Sequence, residues 1–600
     1  RAFQYNLTAL SFVALLVALY LIYNMIALSV VRRRVEIGTL RALGATPTLI
    51  AFIFFLEAGI IGAAGSLLGI GLGYYFAQFS LDAVSLTVNN LYAPSYVTEV
   101  DFQLQQMSPY FLLGVGLSFV SAVIPAWDAA TTPPTSVMRR GSYDLKLFRG
   151  NRQLNYSAML IFLFAGLCTQ LPPINQFPYF GFFSVFLIIL GLSMLSPAAL
   201  LWTRDRFHNF FKNTLGGEGL LACMNLSQNV GRNALAVSSL AIAFMMVISM
   251  SIMVHSFRQT VIVWIDQTLR ADLFVRVAGG RDIDYQHTLP SEPIKNLKQI
   301  SGVADIDQFR AMDISYNNKP VVLATGDFSV LSQYGNLVIK YGPPASELAQ
   351  HMVNSNRAIV SEAFSLKHNV NVGDILNLKT PNGPASLKIT AIYFDYSRER
   401  GYIILDRTTF LKYFNENQIN SFVIYLSDKS RLNEVRKEVL NILNEHRLII
   451  RSNTELKKQV LEVFDKTFAI TYSLEIIAIL VALLGLFNTL VSLILERKRE
   501  IGILRFIGAF IHQVKRMVLI EAGILGLIGS AMGLIAGVIV SYILIFVINK
   551  QSFGWTIQIH FPYSFIALLV AFSWGVSILA GLYPARIAKQ LNPKEALRVE

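Results

Sequence analysis

The chain has 600 residues, of which 54% are hydrophobic and 15% are charged. This composition excludes a wholly soluble protein, because several apolar runs exceed the roughly 20 residues that cross a bilayer. The net charge of +13 does not indicate nucleic-acid binding, since the basic residues cluster at the ends of apolar runs, where cytoplasmic loops collect them. Cys168 in an apolar run and Cys223 in a predicted basic loop indicate neither a disulfide framework nor a metal site.

The apolar runs predict nine transmembrane spans. They cover approximately residues 8–31, 49–78, 108–131, 156–172, 178–202, 234–256, 468–495, 515–548 and 562–585. Each basic segment is separated from the next by two spans, which places all of them in the cytoplasm. These segments are Arg32–Arg41, Arg139–Arg152, Arg204–Arg232 and Arg497–Arg516. The opposite face then carries loops near 80–107 and 549–561, a turn at Pro172–Pro173 and a polar domain at about 257–467.

The polar domain has the pattern of an α+β fold. Short β-runs such as ADLFVRVAG, KPVVLATGDF and SLKITAIYFDY are separated by Gly, Asn and Pro, and SRLNEVRKEVLNILNEH predicts an amphipathic helix. The domain has no cysteine and no His and carboxylate cluster, so the sequence favours a binding or force-transmitting module over an enzyme. Its last segment, ELKKQVLEVFDKTFAITYSLEI, keeps a helical pattern into the span at 468 and predicts a stalk.

One stretch of the sequence occurs twice. NMIALSVVRRRVEIGTLRALGA, starting at Asn24, recurs as NTLVSLILERKREIGILRFIGA, starting at Asn488, and glycine and charged positions keep one constant offset beyond it. The fold class predicted is a polytopic α-helical membrane protein with two parallel repeats, a linking pair of spans and an α+β external domain in the second repeat. The first repeat begins at its second span, so a leading span and an external domain are expected before Arg1.

The predicted domains follow from this duplication. They are the incomplete first repeat at 1–150, the linking spans at 151–203, the cytoplasmic segment and first span of the second repeat at 204–256, the external domain with its stalk at 257–467, and the membrane bundle of the second repeat at 468–600.

The duplicated charged segment is the first candidate site. Its pattern predicts a short cytoplasmic helix that ends at Gly44 in one copy and Gly508 in the other. A topological anchor needs only positive charge, so the fixed Glu-Ile-Gly pattern favours a docking surface for a partner that binds both copies. The residues of this surface are Glu36, Ile37, Gly38, Leu40, Arg41, Gly44, Glu500, Ile501, Gly502, Leu504, Arg505 and Gly508.

Two further features recur in both copies. Glycines at every fourth position form a stripe on which another helix can pack, either within one copy or at a seam between the copies. The stripe consists of Gly65, Gly69, Gly73, Gly529, Gly533 and Gly537. Glu57 and Glu521 are expected just inside the cytoplasmic interface, where a structural tie near the docking helix is favoured over a proton relay.

The chain has no G-x-x-x-x-G-K-[ST] segment, so it cannot hold ATP phosphates by that device. Its spans also lack the mid-membrane ionisable networks of proton-coupled transporters. If the protein drives transport, the energy is expected to come from another subunit.

These motifs resemble the FtsX-like permease family of bacterial ABC transporters, of the MacB, LolC and LolE type. The resemblance rests on the E-I-G-x-L-R-x-x-G-A segment in both copies, the E-A-G that follows, the glycine stripe, and the paired endings at Pro125 and Pro584. VSEAFSLKHNVNVGDILNL is similar to the family's periplasmic domain. The two-copy arrangement resembles the ten-span permeases of the YbbP type and, less closely, of the BceB type.

The resemblance implies that Glu36–Gly44 and Glu500–Gly508 are coupling helices seated on two copies of a cytoplasmic ATPase. ATP and Mg would be bound by that partner, with no cofactor and no enzyme activity in this chain. It also implies a multi-pass location in the bacterial inner (cell) membrane and mechanotransmission to a periplasmic domain. The first copy has Trp127-Asp128 where the second has Arg586-Ile587, which predicts unequal contacts with the two ATPases.

Three functions are compatible with this interpretation. The favoured one is export or extraction of lipid, lipoprotein or amphiphilic compounds, with membrane lipid as a partner. The alternative is a signalling scaffold that activates a periplasmic cell-wall hydrolase or another periplasmic protein. A self-contained transporter or channel is disfavoured, because the spans lack mid-membrane networks of ionisable residues.

Overall fold

The structure is a computed structural model of the whole chain. It describes residues 33–91, 104–131, 152–174, 177–227, 230–277, 287–291, 294–335, 337–395, 400–443, 448–462, 503–504, 506–553 and 556–582, together with scattered residues of 11–30 and residues 465 and 476.

The first part of the chain is helical. Its elements are α1 (Arg34–Ala42), α2 (Pro47–Leu91), α3 (Leu104–Thr131), α4 (Arg152–Cys168), α5 (Tyr179–Asn225) and α6 (Val230–Thr268). α6 is the most buried of the apolar helices, and Ala241, Met245 and Ile248 on it are fully enclosed. Side chains of this kind pack closely around a central helix because they have no polar groups to satisfy.

The polar domain follows α6 and contains twelve strands and six α-helices among its described residues. In chain order these are β1 (Leu273–Val277), β2 (Leu289–Pro290), α7 (Ile294–Leu297), β3 (Val303–Tyr316), β4 (Lys319–Gly326), α8 (Phe328–Tyr334), β5 (Ile339–Tyr341), α9 (Leu348–Met352), β6 (Arg357–Ser361), α10 (Glu362–His368), β7 (Ile375–Thr380), β8 (Gly383–Tyr393), β9 (Tyr402–Asp406), α11 (Arg407–Phe414), β10 (Gln418–Ile419), β11 (Ser421–Leu426), α12 (Leu432–Ile442) and β12 (Leu448–Ser452).

Ten of these strands form one mixed sheet in the order β12-β1-β11-β3-β4-β9-β6-β8-β5, with β7 also paired to β8. β4 pairs with β9 and β6 with β8 in parallel, and the other pairs are antiparallel. One core lies under the β1 end of the sheet, where α12 buries Val435 and Val439. Another lies around β6 and β8, where α10 and α11 bury Phe364 and Phe410. The α+β character predicted for this domain is confirmed.

The last membrane helices follow the polar domain. They are α13 (Ile511–Tyr542), which continues as a π-helix (Ile543–Asn549), α14 (Lys550–Phe553) and α15 (Tyr563–Ala580). The linking helix α5 packs on this second copy, because a Cβ at Gly181 would lie 2.7 Å from Ile548 Cγ1. The linking pair is therefore joined to the second repeat by direct packing.

Five described helices are long and apolar enough to cross a membrane, namely Pro47–Gln78, Met107–Thr131, Tyr179–Asn225, Asn233–Asp266 and Ile511–Ser552. Shorter apolar helices at Ala18–Ala27, Gln153–Cys168 and Tyr563–Leu579 lie at three other predicted spans. The predicted span at 468–495 falls outside the described residues, apart from the single residue 476.

Three helices continue beyond the predicted span ends into segments that were predicted as loops or as part of the polar domain. α2 continues to Leu91, well into the predicted loop at 80–107. α5 continues to Asn225 with a kink at Gly216, so Cys223 lies buried on a helix and not in a loop. α6 continues to Thr268, beyond the predicted span end at 256. Hydropathy marks only the part of a helix that lies in lipid, whereas a helix continues in water until a breaker such as Gly216 ends or kinks it.

The extension of α6 forms half of the stalk. A second helical segment at 453–462 runs beside it, on the return path from the domain. Lys457 Nζ lies 2.6 Å from Asp266 Oδ1, and Arg258 Nε lies 3.0 Å from Asp465 Oδ1. The stalk is thus a pair of ion-paired helices, whereas the sequence predicted a single one.

Candidate functional site

The duplicated segment contains a short helix with the same ending in both copies. In the first copy, the N–H of Ala45 donates to the Leu40 carbonyl at 2.9 Å and the N–H of Gly44 to the Arg41 carbonyl at 3.1 Å. In the second copy, the N–H of Ala509 donates to the Leu504 carbonyl at 3.0 Å. Gly44 and Gly508 have φ values of +98° and +100°, a left-handed conformation that favours glycine at the end of a helix.

One face of α1 is anchored and its end is exposed. Ile37 is buried in a cluster with Ile50 and Phe54, the side chains that begin α2. Leu43, by contrast, is 80% exposed, and its equivalent Ile507 is 74% exposed beside Phe506. Large apolar side chains held out from a charged segment are typical of a surface that binds another protein.

The other predicted residues of this surface divide into several groups. Gly38 is buried, Glu36 is exposed, and Leu40 is 44% exposed. Arg41 is half-buried and points its guanidinium towards the carbonyl of Ala45, at the negative end of the helix dipole. In the second copy Leu504 packs against the membrane core. Glu500, Ile501, Gly502 and Arg505 lie outside the described residues.

Glu57 and Glu521, the two predicted interface carboxylates, each have a polar partner. Glu57 Oε2 lies 2.9 Å from Arg33 NH1, the residue directly before α1. Glu521 is 7% exposed and its Oε2 accepts a hydrogen bond from Asn225 Nδ2 at 3.4 Å. Glu57 therefore links the start of α1 to α2.

The glycine stripes have different surroundings in the two copies. A Cβ at Gly533 would lie 2.6 Å from the Ala241 carbonyl oxygen, and one at Gly537 would lie 2.8 Å from Ile248 Cβ. Gly529 meets α6 in the same way, so this stripe packs within the second copy and does not form a seam between the copies. At Gly65, Gly69 and Gly73 a Cβ would meet no atom of the described residues within 4 Å. The seam interpretation is therefore wrong for the second copy.

A second line of small residues, missed in the sequence, joins the last two membrane helices of each copy. A Cβ at Gly62 would lie 2.5 Å from Ser118 Oγ, and one at Gly526 would lie 2.3 Å from Ser577 Oγ. Ser530 Oγ is also hydrogen-bonded to Ser573 Oγ at 2.9 Å. Gly62 and Gly526 keep the constant offset of the repeat, which is the signal that could have found them.

The apolar helix at Ala18–Ala27, which belongs to the first copy, meets both other parts of the membrane unit. The hydroxyl of Tyr20 lies 2.7 Å from the hydroxyl of Ser193 on α5 and 2.7 Å from that of Ser238 on α6. Tyr20 is 4% exposed, so these hydrogen bonds lie in the interior. Among the described residues, this contact joins the first copy to the linking helix and to the second copy.

The polar domain contains one carboxylate with a strongly perturbed environment. Asp307 on β3 is buried, and its Oδ1 accepts the backbone N–H of Asp327 at 2.8 Å. Burial raises the pKa of Asp307 to about 7, and the Arg407 guanidinium opposes that rise only weakly. Within the described ranges no group of three His, Cys, Asp or Glu side chains lies close enough to hold a metal ion.

The comparisons with known proteins agree with this architecture. The family described as FtsX-like permease C-terminal matches residues 8–134 and 472–593, and the MacB-like periplasmic core domain matches residues 233–442. The two FtsX-like matches cover the duplicated membrane units, and the third match covers α6 and most of the polar domain.

Individual relatives are similar over part or all of the chain. An ABC transporter permease protein of Mycobacterium tuberculosis is 27% identical over 100% of this chain and 70% of its own length. The macrolide export ATP-binding/permease protein MacB of Photorhabdus laumondii is 28% identical over 38% of this chain and 33% of its own length. The solved extracellular domain of the ABC-type transporter YknZ from Gram-positive bacteria matches 30% of this chain and 99% of that chain, with 14% identity and a TM-score of 0.23.

The duplicated membrane units, the equivalent glycine-ended turns and the inserted sheet domain thus agree with the matched families. The chain is an ABC transporter permease that belongs to the FtsX-like permease family and carries a MacB-like periplasmic core domain.

Proposed function

We propose that this chain couples ATP hydrolysis by a separate cytoplasmic ATPase to movements of its spans and its extracytoplasmic domain. The observation that carries this proposal is the pair of exposed apolar residues at equivalent turns, Leu43 at 80% and Ile507 at 74% exposure. The helix ends at Leu43–Gly44 and Ile507–Gly508, called the docking turns below, are equivalent. Two such turns fit two copies of one ATPase. ATP and Mg would be bound by that partner, since the sequence of this chain has no phosphate-binding loop of the G-x-x-x-x-G-K-[ST] type.

Packing supports a mechanical route from the turns to the domain. In the second copy the docking turn is followed by α13, whose glycine stripe brings it into backbone contact with α6 at Ala241. α6 continues without a break into the stalk and then into β1. A movement of α13 would shift α6 as well, because closely packed interfaces change between discrete arrangements and do not deform continuously.

We further propose that the transported or extracted compound is a lipid, a lipoprotein or another amphiphile, at the inner (cell) membrane of a bacterium. The domain exposes apolar side chains on α10, in the turn after it and at the start of β7, with Leu366 44%, Val372 42% and Ile375 63% exposed. An exposed apolar group of this kind suits an apolar or amphiphilic partner. The MacB relative, whose name describes macrolide export, supports the same class of compound.

The test of ATPase docking is a pair of charge substitutions, Leu43→Asp with Ile507→Asp. We expect the ATP hydrolysis activity that co-purifies with the tagged chain to fall at least about tenfold, since a central apolar anchor contributes about 2 kcal/mol or more to an interface. Each single substitution should cause a smaller loss, because one docking turn remains.

Leu440→Asp is the matched control, since Leu440 is also an exposed leucine, 44% exposed, but lies on α12 of the extracytoplasmic domain. It should leave the co-purifying activity unchanged. If the double variant inserts into the membrane and retains full co-purifying activity, the docking assignment fails.

A further inference from the structure

The extracytoplasmic domain is joined to the membrane unit at both edges of its sheet. The stalk helices lead into β1 and out of β12, which form one edge. β5, β6 and β8 lie at the other end of the strand order. At that far end, Glu362 contacts the extracytoplasmic loop between α14 and α15, which carries Thr556.

Glu362 is a carboxylate held almost completely out of solvent, with 1% exposure. Its Oε1 lies 2.5 Å from Lys340 Nζ and accepts a hydrogen bond from Thr556 Oγ1 at 2.8 Å. Its Oε2 accepts the backbone N–H of Thr556 at 3.0 Å. Lys340 belongs to β5 and Glu362 begins α10, so two elements of the domain hold one residue of the membrane unit.

The loop that carries Thr556 is itself fixed to α6. The N–H of Gln558 donates to Thr260 Oγ1 at 3.0 Å, and the N–H of His560 donates to Ser256 Oγ at 2.9 Å. Each hydroxyl also donates to a carbonyl of the same loop, Thr260 to Gln558 at 3.2 Å and Ser256 to His560 at 3.1 Å. Ser256 and Thr260 are four residues apart on one helix face, so the loop lies along α6.

We propose that Glu362, with Lys340 and Thr556, is a second attachment that clamps the far edge of the domain to the loop between the last two membrane helices. A buried carboxylate is stable only when its charge and its lone pairs are satisfied, and here Lys340 and Thr556 supply both. The contact therefore has two states, closed with all partners in place or open with Glu362 hydrated. Its role in transmission rests on the proposed function, because movement of α13 and α15 would reach the domain through this clamp as well as through the stalk.

The clamp can be tested by hydrogen exchange on the full chain in lipid nanodiscs, without ATPase or nucleotide. Glu362→Ala should raise the exchange rate of amides in 556–561 roughly tenfold to a hundredfold, the loss expected for hydrogen bonds to a buried charge. Thr556→Val should cause a smaller increase, since it removes the hydroxyl and keeps the backbone N–H.

Glu416→Ala is the matched control, because it breaks another close ion pair of the same domain, Arg310 NH2 to Glu416 Oε1 at 2.6 Å. It should leave exchange at 556–561 unchanged. Thr556→Val keeps the test valid if Glu362→Ala does not fold, since Thr556 lies outside the domain core.

Unchanged exchange at 556–561 in both Glu362→Ala and Thr556→Val would overturn the clamp. That result would leave the proposed ATPase coupling untouched, because no ATPase is present in the measurement. Conversely, a failure of the Leu43 and Ile507 test would leave the clamp intact.

Discussion

Equivalent glycines in the two copies should respond oppositely to the same substitution. At Gly533 a new Cβ would lie 2.6 Å from the carbonyl oxygen of Ala241 and 2.8 Å from Phe244 Cβ. A backbone carbonyl cannot rotate away, so α13 and α6 must separate, and overpacking of this kind costs about 1–3 kcal/mol. At the equivalent Gly69 a new Cβ would meet nothing within 4 Å in the part of the chain that the structure describes.

Both substitutions also gain helix propensity, about 1 kcal/mol for alanine over glycine. Gly69→Ala should therefore be neutral or slightly stabilising. Gly533→Ala should be less stable than Gly69→Ala by about 1–3 kcal/mol, because the propensity gain cancels in the comparison.

The assay is heating of the 600-residue chain in nanodiscs, followed by size-exclusion chromatography of the fraction that remains folded. Gly533→Ala should show the lower midpoint temperature and Gly69→Ala should match the unsubstituted chain. Equal losses at both positions would refute the reasoning, since they would mean that the stripe at Gly69 is packed as closely as that at Gly533.

Two further predictions concern buried polar groups. The pKa of Asp307, raised by burial from 3.8 to about 7, means that the folded chain binds this proton more tightly than the unfolded chain, so stability falls as pH rises from about 4 to about 7. Asp307→Asn keeps the oxygen that accepts the Asp327 N–H and should remove this fall in stability. The domain should become more stable at pH 8 by at most about 4 kcal/mol, with little change at pH 4. Protease resistance measured against temperature at both pH values tests this prediction, and an unaltered pH dependence of stability would contradict it. Tyr20→Phe removes the hydroxyl that lies 2.7 Å from the hydroxyls of Ser193 and Ser238. The substitution should lower the stability measured in the heating assay by about 0.5–1.5 kcal/mol. An unchanged midpoint temperature would show that these hydroxyls do not hold the helix of Tyr20 in place.

The short helices of the duplicated segment could be predicted because their signals are local. A left-handed glycine ends each helix through hydrogen bonds that reach back only five residues, from Ala45 to Leu40 and from Ala509 to Leu504. The exposure of Leu43 and Ile507 could not be predicted in the same way. The position of α2 decides that Ile37 is covered while Leu43, later on the same short segment, is not.

The stalk and the clamp show a different limit of the sequence. The extension of α6 to Thr268 leaves the apolar run, and its continuation depends on partners such as Lys457, which lies 191 residues beyond Asp266. Glu362 has the pattern of an ordinary acidic residue at a helix start. Its burial depends on Thr556, 194 residues later, which no local pattern contains.

Local patterns in the sequence were enough to predict the duplication, the approximate positions of the described apolar spans, the glycine-ended turns and the family. These follow from hydropathy, charge and backbone geometry, which act over a few residues. The surroundings of equivalent positions depend on the tertiary fold: Gly533 packs on α6, whereas a Cβ at Gly69 would touch none of the described residues, and Glu362 lies buried against the loop of Thr556. Burial and close packing are set by the neighbouring segment, so two equivalent stretches of sequence can have different surroundings.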